Sequence, residues 1–95
     1  MKERRKHNRD HFSGQVILKA ENHEITCHAA EVSSSGVSVQ TGETLQKGII
    51  YSILFLDANI ENQGMVVHSF TKGDKYIYGM RFAAPFDEED LRRLG

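Results

Sequence analysis

Apolar side chains in this chain come in short runs that alternate with polar ones and break at turn residues every eight to twelve positions or so, which is the pattern of a small antiparallel β fold. Gln15 to Glu21 (QVILKAE) is short, apolar and β-branched, a strand, with a turn expected at Asn22-His23. Ile25, Cys27 and Ala29 then alternate with Thr26, His28 and Ala30, the period of a half-buried strand. Ser33-Ser34-Ser35-Gly36 reads as a turn in which Gly36 is free to take positive φ, and Val37 and Val39 resume the alternation beyond it. Ile49 to Leu56 (IIYSILFL), bounded by Gly48 and Asp57-Ala58-Asn59, has the length of a central strand. Asn62 to Thr71 is a fifth strand, Lys72 to Lys75 a tight hairpin connection, and Tyr76, Tyr78, Met80 and Phe82 form one face of a sixth.

Only the C-terminus has helical signals. Pro85 ends the last strand, Asp87 can cap a helix, and Phe86 and Leu91 occupy the two positions of a hydrophobic staple. Glu88, Glu89 and Asp90 suit the first turn and Arg92 and Arg93 the last. A helix this short needs tertiary packing, expected through Leu91 and Leu94. The fold class is therefore all-β, a small barrel or sandwich of six short strands with one helical cap. Ninety-five residues hold one such core and not two.

Charge is unevenly spread. Residues 1–11 carry Lys2, Arg4, Arg5, Lys6 and Arg9 against Glu3 and Asp10, whereas residues 12–95 are net acidic. The chain divides accordingly into a basic, flexible arm over residues 1–11 and a body over 12–95. A basic arm on a mildly acidic body calls for a compact anionic partner and not for a broad DNA or RNA surface. No apolar run approaches the roughly 18–20 residues that span a bilayer, and no apolar stretch follows the basic N-terminus as in a secretory signal. The single Cys27 fits a reducing compartment, so the expected location is cytoplasmic, without membrane insertion.

Catalysis and metal binding find little purchase. Cys27 and the five histidines could supply a nucleophile and a base, but Cys27 falls at an inward-phased strand position, where a thiol acts as a small hydrophobe. His7 and His11 are spaced as i, i+4 outside any helix, and no second cysteine completes a zinc pattern. Neither enzyme activity nor a metal or cofactor is expected. Phosphate-binding glycine loops are absent from the sequence. The arm is then the sole strong anion site: Arg5 and Arg9, with Arg4 beside them, can grip phosphate bidentately, stack on a purine, or donate to O6 and N7 of guanine. The second polar segment is Glu31-Val32-Ser33-Ser34-Ser35-Gly36. Glu31 can accept from the N1–H and N2–H₂ of guanine, Ser33 adds a hydroxyl, and Gly36 allows close approach. Taken alone, this segment reads more readily as an ordinary serine-rich hairpin than as a binding site.

Together, Arg5-Lys6-His7-Asn8-Arg9 and the later Glu-Val-Ser-Ser-Ser-Gly resemble the PilZ domain family, whose pattern is Arg-x-x-x-Arg followed by Asp/Asn-x-Ser-x-x-Gly. Gly48 before a long apolar strand, Gly64-Met65-Val66-Val67, and Tyr78-Gly79-Met80-Arg81-Phe82 before an acidic helix extend the resemblance over the whole chain. It implies a six-stranded antiparallel β-barrel with a short C-terminal α-helix that binds cyclic di-GMP. By that resemblance Arg5 and Arg9 take guanine and phosphate, Glu31, Ser33 and Gly36 line the opposite wall, and Arg4 is an accessory. Glu31 stands where the family has Asp or Asn, and its extra methylene carries the carboxylate farther out. The expected protein is a non-catalytic receptor, monomeric or homodimeric, that passes the signal to a separate effector protein. The alternative is a nucleotide-independent interaction domain with a degenerate ligand site.

Overall fold

A computed structural model describes residues 10–94, with side chains from Gly14 onward. Six strands, β1 (Asp10–Ala20), β2 (His23–Val32), β3 (Gly36–Thr41), β4 (Tyr51–Phe55), β5 (Ile60–Lys72) and β6 (Lys75–Phe82), precede one helix, α1 (Glu88–Leu94). The strands close into a barrel in the order β1-β2-β3-β6-β5-β4, with every neighbouring pair antiparallel. Closure removes the edges that a six-stranded open sheet would leave unpaired. This is the all-β barrel with a helical cap that the alternation predicts.

Alternation fixes which side chains fill the interior. Ile25, Cys27 and Ala29 of β2, Val37 and Val39 of β3, Tyr51, Ile53 and Phe55 of β4, and Tyr78, Met80 and Phe82 of β6 all point inward and are buried. Phe55, Leu18, Ile25 and Ile53 are the largest fully buried side chains, each contributing about 1.5–3 kcal/mol by leaving water. Tyr76 departs from the expected face. It lies near the hairpin end of β6 and is 36% exposed.

The C-terminal segment closes one end of the barrel. Asp87 and Asp90 cap each other: the N–H of Asp90 donates to Oδ1 of Asp87 at 2.9 Å and the N–H of Asp87 donates to Oδ2 of Asp90 at 3.3 Å. Phe86 then packs on Phe82, ring centroids 4.5 Å apart, and edge-on to Phe55 at 5.6 Å. Leu94 is buried and Leu91 packs against the core, as the staple spacing requires.

Several boundaries differ from the sequence expectation. β1 begins at Asp10, inside the segment assigned to the arm, because His11 pairs with Glu31 across a register shift that hides the strand's period. The β1–β2 turn is Glu21-Asn22, with Glu21 at φ 56°, and His23 already belongs to β2. Ile49 and Ile50 lie before β4 and are exposed, so the central strand is only five residues long.

Candidate functional site

The outward face of the barrel carries a groove of about 440 Å³ where β2, β3, β6 and β5 run side by side. Its lining includes Glu31, Ser33, Gly36, Ser38, His68 and Arg81. That volume is within the range of about 300–1,000 Å³ usual for small-molecule sites.

Two β-bulges build this wall. In β2 the register shifts between Ala29, which pairs with Val39, and Glu31, which pairs with Ser38, leaving Ala30 as the extra residue. Ala29 points inward, so strict alternation would turn Glu31 into the core, and the bulge returns it to the outer face. The same device recurs in β5. Val66 is buried opposite Met80, Val67 is the extra residue, and His68 emerges outward opposite Gly79 instead of inward opposite Tyr78. Since Ser38 also pairs with Gly79, the residues Glu31, Ser38, Gly79 and His68 form one row across four strands.

The row is flat at its centre because Gly79 has no side chain. The space its Cβ would fill is taken by the imidazole of His68, which rests on the glycine backbone. His68 in turn stacks on Phe70, with an interplanar angle of 13° and centroids 6.4 Å apart. One row further along β6, Arg81 pairs with both Gly36 and Met65.

The β2–β3 turn is tied down at several points. The N–H of Ser33 donates to the carbonyl of Gly36 at 2.9 Å, and Ser33 Oγ accepts from the N–H of Ser35 at 3.3 Å. The carbonyls of Ser34 and Ser35 accept from the N–H groups of Phe86 and Phe82, both at 2.8 Å, which anchors the turn to the segment leading into α1.

Of the residues singled out from sequence, Glu31, Ser33 and Gly36 come together along this groove. Arg4, Arg5 and Arg9 lie outside the described residues. Glu31 belongs to β2 and Gly36 to β3, so the turn proper is only Ser33–Ser35. Gly36 does not take the positive φ expected of it, and it is needed for another reason: a Cβ there would collide with the carbonyl oxygen of Met80. Arg81, on β6 of the barrel itself, also lines the groove, so the N-terminal segment does not hold every arginine that bears on the site. Sequence reasoning missed Ser38, His68, Gly79 and Arg81. For His68 the available signal was a polar residue in the inward phase of an apolar strand.

Elsewhere the chemistry is muted. Cys27 is buried, and burial is the main cause that pushes its thiol up to about 11; the charge of Glu43 adds to the rise and a hydrogen bond with Thr41 opposes it. Among the described residues no three His, Cys, Asp or Glu side chains stand together as a metal site would need. Among the same residues no helix is long and apolar enough to cross a membrane.

The family model of the PilZ domain matches residues 3–95, a span that takes in Arg4, Arg5 and Arg9 as well as the barrel. Among solved structures, the inhibitor of motility of Bacillus subtilis (MotI/DgrA) superposes with a TM-score of 0.74 at 20% identity, covering 97% of this chain and 48% of that one. The chain thus spans about half the length of that protein, and at this identity the likeness is one of fold. No curated protein matches the sequence.

Proposed function

The chain belongs to the PilZ domain family, and from that membership we propose that it is a receptor for cyclic di-GMP that signals to a protein partner through a change of shape. The observation that carries the proposal is the convergence of Glu31, Ser33 and Gly36 on one outward groove of the barrel. The bulge at Ala30 spends one residue of β2 to turn Glu31 outward, and a buried carboxylate would be far costlier than this local kink. In this reading the guanine edge donates to Glu31, the serine turn and Ser38 contribute polar contacts, and Arg5 and Arg9 close over the ligand from the N-terminal side with Arg4 as an accessory. Arginine suits that position because its planar fork meets both phosphate and the Hoogsteen edge of guanine.

A route for the signal follows from the turn. Ser34 and Ser35 accept hydrogen bonds from Phe86 and Phe82, so any shift of the ligand-bearing turn pulls on the residues that seat α1. A partner that reads the α1 end of the barrel would therefore sense occupancy of the groove. Titration calorimetry with cyclic di-GMP tests the reading directly: saturable binding at micromolar ligand is expected, and absence of heat at tens of micromolar contradicts it.

A second reading keeps the fold and drops the ligand, leaving a nucleotide-independent interaction domain. The observation in its favour is a set of exposed large hydrophobics, among them Ile50, Met65, Val67 and Phe70. A partner captured with equal affinity in the presence and absence of cyclic di-GMP would favour it.

A further inference from the structure

We infer that His68 is a ligand-contacting residue of the groove, and that its imidazolium form holds an anionic dinucleotide more tightly than the neutral ring does. This rests on the receptor reading above and adds to it a residue outside both sequence motifs. The geometric case begins with the bulge at Val67, without which His68 would point at the core opposite Tyr78. A histidine in that interior would lose its hydration without a polar partner set, whereas the bulge delivers it to the same outward row as Glu31. The two bulges thus place an acceptor at one end of the row and an ionisable donor at the other, with Ser38 and Gly79 between them. The imidazole occupies the space a side chain at Gly79 would take, with Nε2 and Cε1 nearest the glycine, so the ring lies within the row and lines the groove beside Ser38 and Arg81.

The charged surroundings leave room for this role. On β6 the nearest ionisable neighbours are Arg81, one register step along, and Tyr76 toward the hairpin; on β5 itself Lys72 lies farther out. Lys47 approaches from the loop before β4 by bridging to Val66, and Glu31 is the acidic group of the row, at its other end with β3 and β6 between. His28 stands in the adjacent row, opposite Gln40. Histidine is the side chain whose charge ordinarily changes between about pH 5 and 8, and a phosphodiester stays anionic throughout that range. Protonation of His68 therefore adds a positive charge and a donor to a groove whose ligand carries two negative charges.

The experiment is titration of cyclic di-GMP into the full chain at about pH 6 and pH 8 and constant ionic strength, for the unchanged protein, His68→Phe, His68→Gln and the control His28→Gln. The expected result is roughly threefold to tenfold tighter binding at the lower pH in the unchanged protein and in His28→Gln, a gain consistent with one partly exposed charge pair. Both His68 variants should bind with affinities that no longer change with pH. Enthalpies measured in two buffers of different ionisation heat should show proton uptake on binding near neutral pH, lost in His68→Phe. Binding that is independent of pH in the unchanged protein, or a pH dependence that survives in both His68 variants, overturns this inference and leaves the receptor reading intact. No binding at either pH overturns both.

Discussion

Gly36 backs directly onto Met80: a Cβ built on Gly36 would collide with the carbonyl oxygen of Met80 on the neighbouring strand. The glycine that ends the second motif is thus a packing requirement of the β3–β6 pair, where Gly36 stands opposite Arg81. Its presence lets β3 and β6 approach closely enough to form the floor of the groove.

Gly36→Ala should therefore cost about 1–3 kcal/mol of stability as the strands are forced apart. Gly42→Ala is the control, since nothing lies within 4 Å of its would-be Cβ and its effect should stay within about 0.5 kcal/mol. Urea denaturation of the two variants checks the difference. Equal stabilities would show that the β3–β6 pair relaxes around the added methyl.

Glu31→Gln keeps the shape of the side chain at the β2 bulge and removes its charge. If the carboxylate accepts from guanine, cyclic di-GMP affinity should fall roughly tenfold or more, the worth of a hydrogen bond to a charged group. Calorimetry measures this, and an unchanged affinity would remove Glu31 from the contact set.

Tyr78 ties the barrel to the β3–β4 loop. Its hydroxyl accepts from the N–H of Leu45 at 3.0 Å and donates to the carbonyl of Glu43 at 3.4 Å. Tyr78→Phe leaves the buried Leu45 amide without that partner and should lower stability by about 1–3 kcal/mol. Tyr51, whose hydroxyl accepts from the N–H of Gln46, holds the same loop and makes a second test site. Thermal melts of the two Phe variants should show both losses, and an unchanged midpoint for Tyr78→Phe would contradict the account.

Cys27 gives a pH signature of the core. Burial raises the thiol from 9.0 to about 11, so the neutral form is the one the fold holds. The stability it confers is complete below about pH 9 and is lost as pH rises through about 11. Relative to Cys27→Ala, the unchanged protein should lose stability across that window, measured by denaturation at fixed pH. The folded thiol should also resist alkylation at pH 8 and react once the chain unfolds. Parallel stability curves for the two proteins would contradict the assignment.

Much of this fold is legible in the sequence because alternation leaves a mark wherever a strand is half-buried. Ile25, Cys27 and Ala29, and again Tyr78, Met80 and Phe82, announce their inward face by spacing alone, and Asp87 with Phe86 announces the helix start. Bulges leave no such mark. Ala30 and Val67 are unremarkable residues, yet each reverses the phase of everything that follows it in its strand. Hence Glu31 is legible through its motif, while His68, which has none, becomes visible only in the strand pairing. Arg81 looked like one more outward position of β6, and only the closed strand order sets it beside Gly36. The exposed Ile49 and Ile50 show the opposite error, since apolar composition extended β4 beyond where its pairing begins.

The central claim is that the barrel groove and the Arg5–Arg9 segment together bind cyclic di-GMP. It is tested most directly by calorimetric titration of the full chain beside its Arg5→Ala/Arg9→Ala variant. The account predicts saturable binding to the unchanged protein, lost in the double variant while its thermal midpoint stays the same. No binding to the unchanged protein at tens of micromolar ligand, or equal binding to both, would contradict it.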